Sequence, residues 1–367
     1  MITTQAAVIR ENGGQFAIED VNLDDPGFGE VLVRNIATGV CHSDMFVQAG
    51  MVDMPRVLGH EGAGVIEAVG PGVTTLTPGD KVIMGFNSCG MCGPCLSGRP
   101  FACESFLLLN MFGRRLDGST NITAADGSAV SGNYFGQSSF ARHSVANVRN
   151  VVKLPDNTPD KLHRILGPFG CGLSTGAGTV INALQVRPAT SIVVFGGGGV
   201  GLAGAMAALA SGATTVIVVD INDDRLKLAQ TLGATHTFNG ADADLKEKII
   251  AATGGGAHYA MDTTGNMKVV RMSNDILRIG GTTALVGLSV PGTPVELDHM
   301  GMLDGRNIIG VVEGAAVPQV FIPQLIALYH AGKFPFDKMV KEYPFEDINK
   351  AFHDSEVGTT IKGVVVF

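Results

Sequence analysis

Four of the six cysteines in this chain stand close together, in Cys89-Gly-Met-Cys92-Gly-Pro-Cys95 followed by Cys103. Two residues separate each of the first three thiols from the next and seven precede the last, so a short loop can wrap one metal ion with four thiolates. Zinc favours this arrangement because it is soft enough for sulfur and, as a d10 ion, accepts a tetrahedral cage without strain. A closed cage leaves no position for a substrate, so a metal here holds a lobe together and catalyses nothing. The other two, Cys41 and Cys171, lie far apart in sequence, with Gly59-His60-Glu61 between them. Two cysteines and a histidine match the ligand type of a catalytic zinc, which keeps its fourth position open. Singly, each cysteine would more often be a small buried hydrophobe than a ligand, and His60 more often a satisfied core or surface histidine. Jointly, with no cysteine left over, they read as a second metal site.

A third constellation is the glycine turn Gly196-Gly-Gly-Gly-Val-Gly201, which fits G-x-G-x-x-G through Gly196, Gly198 and Gly201. It follows an apolar β-branched run, opens an Ala-rich helix, and is answered by Asp220 at the end of the next apolar run. Glycines there let the backbone approach a pyrophosphate, and the helix N-terminus turns its positive end to that charge. Asp220 is placed to accept from ribose hydroxyls and would repel a 2′-phosphate, which favours NAD over NADP.

The elements that must position these residues change character near Cys171. Before it, short strand-like runs such as Val31–Ala37 and Lys81–Met84 alternate with Gly, Pro and Asp turns, the pattern of an all-β barrel or sandwich with long loops. After it, strands and helices alternate: a strand at Ser191–Phe195, a helix from about Val200 to Ala210, a strand at Thr215–Val219 and a helix from Asp223 to Leu232. Strands at His258–Asp262 and Thr282–Val286, with a helix from about Met267 to Arg278 between them, continue the alternation into a doubly wound parallel sheet. From about Ala315, two helices and the strand Gly363–Phe367 return to the first domain.

Composition narrows the class. At 367 residues the chain is long enough for two domains, and its 50 glycines suit tight turns and close backbone approach to a ligand. The net charge of −8, with no basic run, argues against nucleic acid and anionic membrane as partners. No apolar run approaches the length of a membrane span, and the N-terminus shows no basic stretch before an apolar core, so a cytoplasmic protein is expected.

Together these motifs resemble the zinc-dependent medium-chain alcohol dehydrogenases over essentially the whole chain. Gly59-His60-Glu61, Gly64 and Gly70 meet the family pattern. The stretches Phe135-Gly-Gln-Ser-Ser-Phe-Ala141, Gly167-Pro-Phe-Gly-Cys171, Phe321-Ile-Pro-Gln-Leu and Gly332-Lys-Phe-Pro-Phe-Asp337 are most similar to its aryl- or benzyl-alcohol branch. The resemblance implies an α/β protein. A GroES-like β-barrel catalytic domain is expected over 1–173 and 315–367, with a structural zinc lobe at about 87–105, and a Rossmann coenzyme domain over 174–314. It implies NAD, two zinc ions per subunit and a homodimer or homotetramer. Cys41, His60 and Cys171 then hold the catalytic zinc, Ser43 takes the alcohol proton, and Asp44 orients His60. Glu61 matches a glutamate able to approach the zinc during ligand exchange. Thr175, Val200, Asp220, Arg225, Thr263, Val286, Leu288 and Val311 stand where relatives touch NAD, and Lys362 and His42 where a basic residue faces the pyrophosphate.

One position departs from many relatives. Phe46, five residues after Cys41, stands where they carry the histidine that ends the proton relay, so the proton must finish through water or His42. Gly85 widens the expected substrate pocket, and Phe46, Leu108, Tyr134 and Phe135 give it apolar walls suited to flat rings or branched allylic chains. The expected reaction is NAD-dependent oxidation of such primary alcohols to aldehydes. Two other readings stay open, a glutathione-dependent formaldehyde dehydrogenase and a zinc- and nucleotide-binding protein without catalysis.

Overall fold

The computed structural model describes residues 1–367, the side chain of Met51 excepted, and they form two compact units. The first comprises Met1–Cys171, Val317–Pro323 and Asp337–Phe367; the second comprises Gly172–Ala316 and Gln324–Phe336. The expected return to the first domain from residue 315 is therefore interrupted. The helix Pro318–His330 changes unit part-way, and Leu325, Phe334 and Phe336, all buried, belong to the second.

The first unit is built on two sheets, as its short β-branched runs predict. One is antiparallel, in the order Arg56–Val57, Ile2–Ile9, Phe16–Leu23, Ile122–Ala124, Ala129–Val130. The other is organised around the ten-residue strand Glu30–Gly39. One edge of that strand pairs with Gly62–Val69; the other is shared between His143–Asn147 along its first half and the C-terminal strand Lys362–Val366 along its last. This register decides what can meet. Thr38 lies opposite Gly62 and Gly39 opposite Val364, so Cys41, His60, Glu61 and Lys362 all issue from neighbouring strand ends. The approach is close enough that a Cβ on Gly39 would fall 2.0 Å from Glu61 Oε2, and one on Gly170 would fall 2.0 Å from the Met84 carbonyl oxygen. Glycine at 170 lets the turn carrying Cys171 lie against the strand Lys81–Met84.

The second unit is a six-stranded parallel sheet in the order His236–Asn239, Thr215–Asp220, Ser191–Phe195, Ala257–Asp262, Leu277–Leu285, Asn307–Gly310. This is the doubly wound order of a dinucleotide-binding fold. Ser191–Phe195 is buried throughout, which explains why it reads as a continuous apolar run rather than an alternating one. Two boundaries differ from expectation. The helix expected to reach Arg278 ends at Asp275, because the strand expected at Thr282 already begins at Leu277.

In the C-terminal part of the first unit, the helix Ile348–Glu356 buries Ile348, Ala351, Phe352 and Ser355, one face at helical spacing. Asp354 ties it to the strands: it accepts from Tyr343 Oη (2.7 Å) and from Lys341 and Lys350 Nζ (3.1 Å each). The Tyr343 hydroxyl first, and then the two ammonium groups, hold this carboxyl well below the usual carboxylate range. A depressed folded-state pKa adds stability that is complete above the unfolded value, near 3.9, and drains away as the pH falls below it. Asp354→Asn should therefore melt lower than the parent at pH 7, with the gap narrowing progressively as the pH falls below about 4. Thermal melts across that range check it; a gap independent of pH would contradict it.

Candidate active site

Cys41 precedes the short helix His42–Phe46, and Asp44 in that helix is fully buried. Its carboxylate accepts from the Cys41 N–H (3.1 Å) and the Gly59 N–H (3.1 Å) and meets His60 Nδ1 at 3.0 Å. Burial pushes the Asp44 carboxyl up, and His60 opposes the shift. With Nδ1 engaged, His60 Nε2 points away from Asp44, buried and without a protein partner. The ligand atoms of Cys41, His60, Glu61 and Cys171 all lie within 4.8 Å of one another. Hydrogen bonding from Cys171 holds the Cys41 thiol well below its usual value, with Lys362 and His60 adding to this against the effect of burial. An orphaned imidazole nitrogen beside a thiol disposed to ionise is the donor set of a zinc ion.

Glu61, also fully buried, is bonded at 2.8 Å through each oxygen to Lys362 Nζ, which also donates to the Val40 carbonyl at 3.1 Å. Burial raises the Glu61 carboxyl to about 7, with Lys362 resisting. The family resemblance implies that Lys362 faces a pyrophosphate; its ammonium in this structure is engaged with Glu61. His42 is exposed, and Ser43 is half-buried with its Oγ 3.8 Å from Cys41 Sγ. Tyr134 Oη donates to the Ser43 carbonyl at 3.2 Å. Phe46 and Leu108 are half-buried, whereas Tyr134 and Phe135 are buried with their rings against His60. Gly85 is not followed by open space alone: a Cβ there would lie 3.3 Å from the Gly170 carbonyl oxygen and 3.5 Å from Pro318.

Two residues with no assigned role in the sequence reading complete the surroundings. Gln137 donates through Nε2 to the carbonyls of His60 and Gly85 (2.9 Å each) and accepts from the Gly62 N–H at 3.0 Å. Asn150 donates to the carbonyls of Gly136 (3.2 Å) and Phe135 (3.4 Å). Their only sequence signal is a polar amide inside a segment otherwise destined for a core.

The four remaining cysteines form the second cluster, again with ligand atoms within 4.8 Å of one another. Backbone N–H groups already serve the sulfurs: Cys92 N–H and Met91 N–H reach Cys89 Sγ at 3.3 and 3.5 Å, and Cys89 N–H reaches Cys103 Sγ at 3.3 Å. The Cys95 N–H, with that of Glu104, brings the Cys92 thiol down to about 7.

In the second unit the expected nucleotide residues fall along the carboxyl ends of the parallel strands, where such sheets bind ligands. The glycine turn follows Ser191–Phe195, Asp220 ends its strand, Thr263 and Val286 follow theirs, and Val311 follows Asn307–Gly310. Arg225 lies on the helix after Asp220, Leu288 is exposed just beyond Val286, and Thr175 lies in the helix Gly172–Gly178, where a Cβ on Gly176 would meet the Val200 carbonyl at 2.0 Å. The turn is shaped as a cradle. A Cβ on Gly201 would fall 1.8 Å from the Gly196 carbonyl, Gly196 has φ +100°, and Gly198 faces open space that a Cβ would fill. Asp220 Oδ2 accepts from the Gly197 N–H at 2.6 Å, and Arg225 Nη1 stands 3.7 Å from the same carboxylate.

Residues 27–156 match the alcohol dehydrogenase GroES-like domain, and residues 199–330 match the zinc-binding dehydrogenase domain. The chain is 46% identical to the geraniol dehydrogenase of Castellaniella defragrans, over 100% of this chain and 98% of that one. It belongs to the zinc-dependent alcohol dehydrogenases. The same family includes the S-(hydroxymethyl)glutathione dehydrogenase of Paracoccus denitrificans, 35% identical over 99% of this chain and all of that one. The crystal structure of benzyl alcohol dehydrogenase from Acinetobacter calcoaceticus superposes with a TM-score of 0.96, at 41% identity and full coverage of both chains. Zinc and NAD are the cofactors of this enzyme class, and the two clusters and the glycine cradle are where this chain's residues fit them.

Freshly purified, unchelated protein should contain two zinc ions per subunit with unequal roles. Cys89→Ser should lose one of them and melt several degrees lower, because a closed structural cage contributes folding energy outright. Cys171→Ser should keep its melting temperature within a few degrees and lose turnover. Metal analysis finding one zinc or none in the parent would sink this assignment.

Proposed function

We propose that this enzyme oxidises primary allylic and aromatic alcohols to aldehydes, reversibly, with NAD as hydride acceptor. The observation that carries the proposal is the 46% identity to a geraniol dehydrogenase along the entire chain. The likeness to a benzyl alcohol dehydrogenase structure supports the same substrate class. Bound by Cys41, His60 and Cys171, zinc supplies Lewis acidity that makes an alcohol hydroxyl easier to ionise. Asp44 keeps the His60 ring oriented and its Nε2 available. Ser43 receives the alcohol proton, and the hydrogen bond from Tyr134 to its carbonyl steadies the backbone that carries it. Bound NAD+ would accept the carbinol hydride, so that alcohol and NAD+ would give aldehyde, NADH and one proton. With Phe46 in place of a relay histidine, the proton taken by Ser43 would have to leave for water or His42. The carboxylate of Asp220 would hold the ribose hydroxyls and the cradle Gly196–Gly201 the pyrophosphate, with Thr175, Val200, Arg225, Thr263, Val286, Leu288 and Val311 around the rest.

Phe46, Leu108, Tyr134 and Phe135 are the apolar walls of the substrate pocket in this reading, and Gly85 adds no side chain to it. The enzyme works as a homodimer or homotetramer; the edge strand Asn307–Gly310 and the exposed apolar Met300, Leu303 and Val312 beside it support association. Cysteines gathered into two metal-type clusters, with no disulfide among the described residues, suit the reducing cytoplasm. Among the described residues, no helix is long and apolar enough to cross a membrane.

Initial rates of NADH formation test the substrate class. Benzyl alcohol and geraniol should exceed ethanol in kcat/KM by roughly a hundredfold or more, about 2.7 kcal/mol of transition-state stabilisation. Gly85→Phe should reduce the two bulky alcohols far more than ethanol. Ethanol matching benzyl alcohol would overturn the pocket argument, and a preference for the glutathione–formaldehyde adduct would move the enzyme to that activity. Independently, Asp220→Gly should weaken NAD by about 10- to 100-fold, the worth of hydrogen bonds to a charged group, and narrow the gap to NADP. Equal kcat/KM with both cofactors in the parent would refute the role of Asp220.

A further inference from the structure

The run Phe135-Gly-Gln-Ser-Ser-Phe, conspicuous in the sequence, has no chemical role in the mechanism above. Its backbone is unusual. Asn133, Phe135, Gly136 and Ser138 have φ of 62°, 50°, 65° and 48°, so four of six consecutive residues are left-handed. Three of the four carry a Cβ, for which this region is unfavourable, and Phe135 is the bulkiest. Such a conformation persists only where the surroundings over-determine it.

Those surroundings are specific. Ser138 Oγ donates to the Val57 carbonyl (2.8 Å) and accepts from the Tyr134 N–H (2.9 Å). The Gln137 amide spans the His60 and Gly85 carbonyls and the Gly62 N–H, and Asn150 binds the carbonyls of Phe135 and Gly136. Hence the segment is bolted to the backbone on both sides of His60, and to the strand Gly62–Val69 that follows it.

The strained backbone delivers two rings to one imidazole. Phe135 stacks on His60 with centroids 4.5 Å apart and planes 26° apart, and Tyr134 meets it edge-on at 5.4 Å and 87°. Asp44 alone fixes one point of the His60 ring, at Nδ1, about which the ring can still tilt. A face and an edge fix its plane. We infer that residues 133–138 form a strained bracket that sets the plane of the His60 imidazole, with Phe135 as its positioning residue, so that Nε2 is aimed at the Cys41 and Cys171 sulfurs before metal arrives. This rests on the reading of Cys41, His60 and Cys171 as zinc ligands.

Phe135→Asn separates the ring from the backbone, because Asn tolerates the left-handed region that Phe resists. Phe135→Leu removes the ring and keeps the apolar bulk, and Phe135→Tyr keeps the ring. The holoenzymes are compared by release of the catalytic metal to a chelator, by the visible d–d bands after cobalt exchange, and by the melting temperature of the metal-free form. The Asn and Leu variants should release that metal about 10- to 100-fold faster, the range for outer-shell partners of a metal ligand, with shifted cobalt bands. The metal-free Asn and Leu variants lose a buried ring and should melt lower than the parent, so metal release and the cobalt bands carry the test, and the Tyr variant should return to parental values. Release rates and cobalt bands unchanged in the Asn and Leu variants would overturn the bracket while leaving the zinc site standing; if the Asn variant does not fold, the Leu variant decides. A parent protein that holds metal only in the four-cysteine cage would instead overturn the zinc reading itself.

Discussion

One buried carboxylate organises the catalytic unit. Asp44, fully removed from solvent, accepts from the backbone of Cys41, from the backbone of Gly59 and from His60. Taking a carboxylate out of water costs several kcal/mol even after relaxation, and only well-formed hydrogen bonds offset it. Its three partners belong to two loops that each supply a proposed metal ligand. The free energy that would be lost by leaving Asp44 unpaired therefore acts to hold Cys41 and His60 at a set separation. Tyr134 adds a further tie, through the Ser43 carbonyl, to the same short helix.

The second buried charge, Glu61 with Lys362, follows a different logic. A buried pair of this kind is weak evidence for stability, since well-packed apolar residues of the same volume serve as well or better. Its position beside Cys41, His60 and Cys171 makes it intelligible as part of the site's electrostatics. Lys362 is among the groups that favour the Cys41 thiolate, while Glu61 opposes excess positive charge in the same low-dielectric volume. The sheet permits this only because Gly39 has no Cβ to occupy the space taken by the Glu61 carboxylate.

The two units gather their proposed ligand residues in contrasting ways. In the parallel sheet the expected nucleotide residues lie along one edge because every strand runs the same way and ends there, so the topology alone gathers them. In the antiparallel unit no such edge exists, and the site depends on register. A one-residue slip between Glu30–Gly39 and either neighbour would turn the flanking side chains to the opposite face. That dependence is consistent with the density of buried side-chain to backbone hydrogen bonds around His60, from Asp44, Gln137 and Asn150.

What was legible in the chain alone was whatever is local. The cysteine spacing from 89 to 103, the glycine turn with Asp220 at the following strand end, and the apolar strands of the parallel sheet each occupy a short window, and periodicity or ligand spacing carries their meaning. The strands His236–Asn239 and Val340–Pro344 were not legible, because neither has a clean apolar pattern. Gln137 with His60, 77 residues apart, and Lys362 with Glu61, 301 apart, left no signal. Nothing in their types requires those partners; strand register chooses them. The sequence by itself determined which side chains could hold metal and nucleotide. Only the tertiary structure decided which polar groups steady them, because a buried hydrogen bond or ion pair takes its value from the low-dielectric surroundings that folding creates.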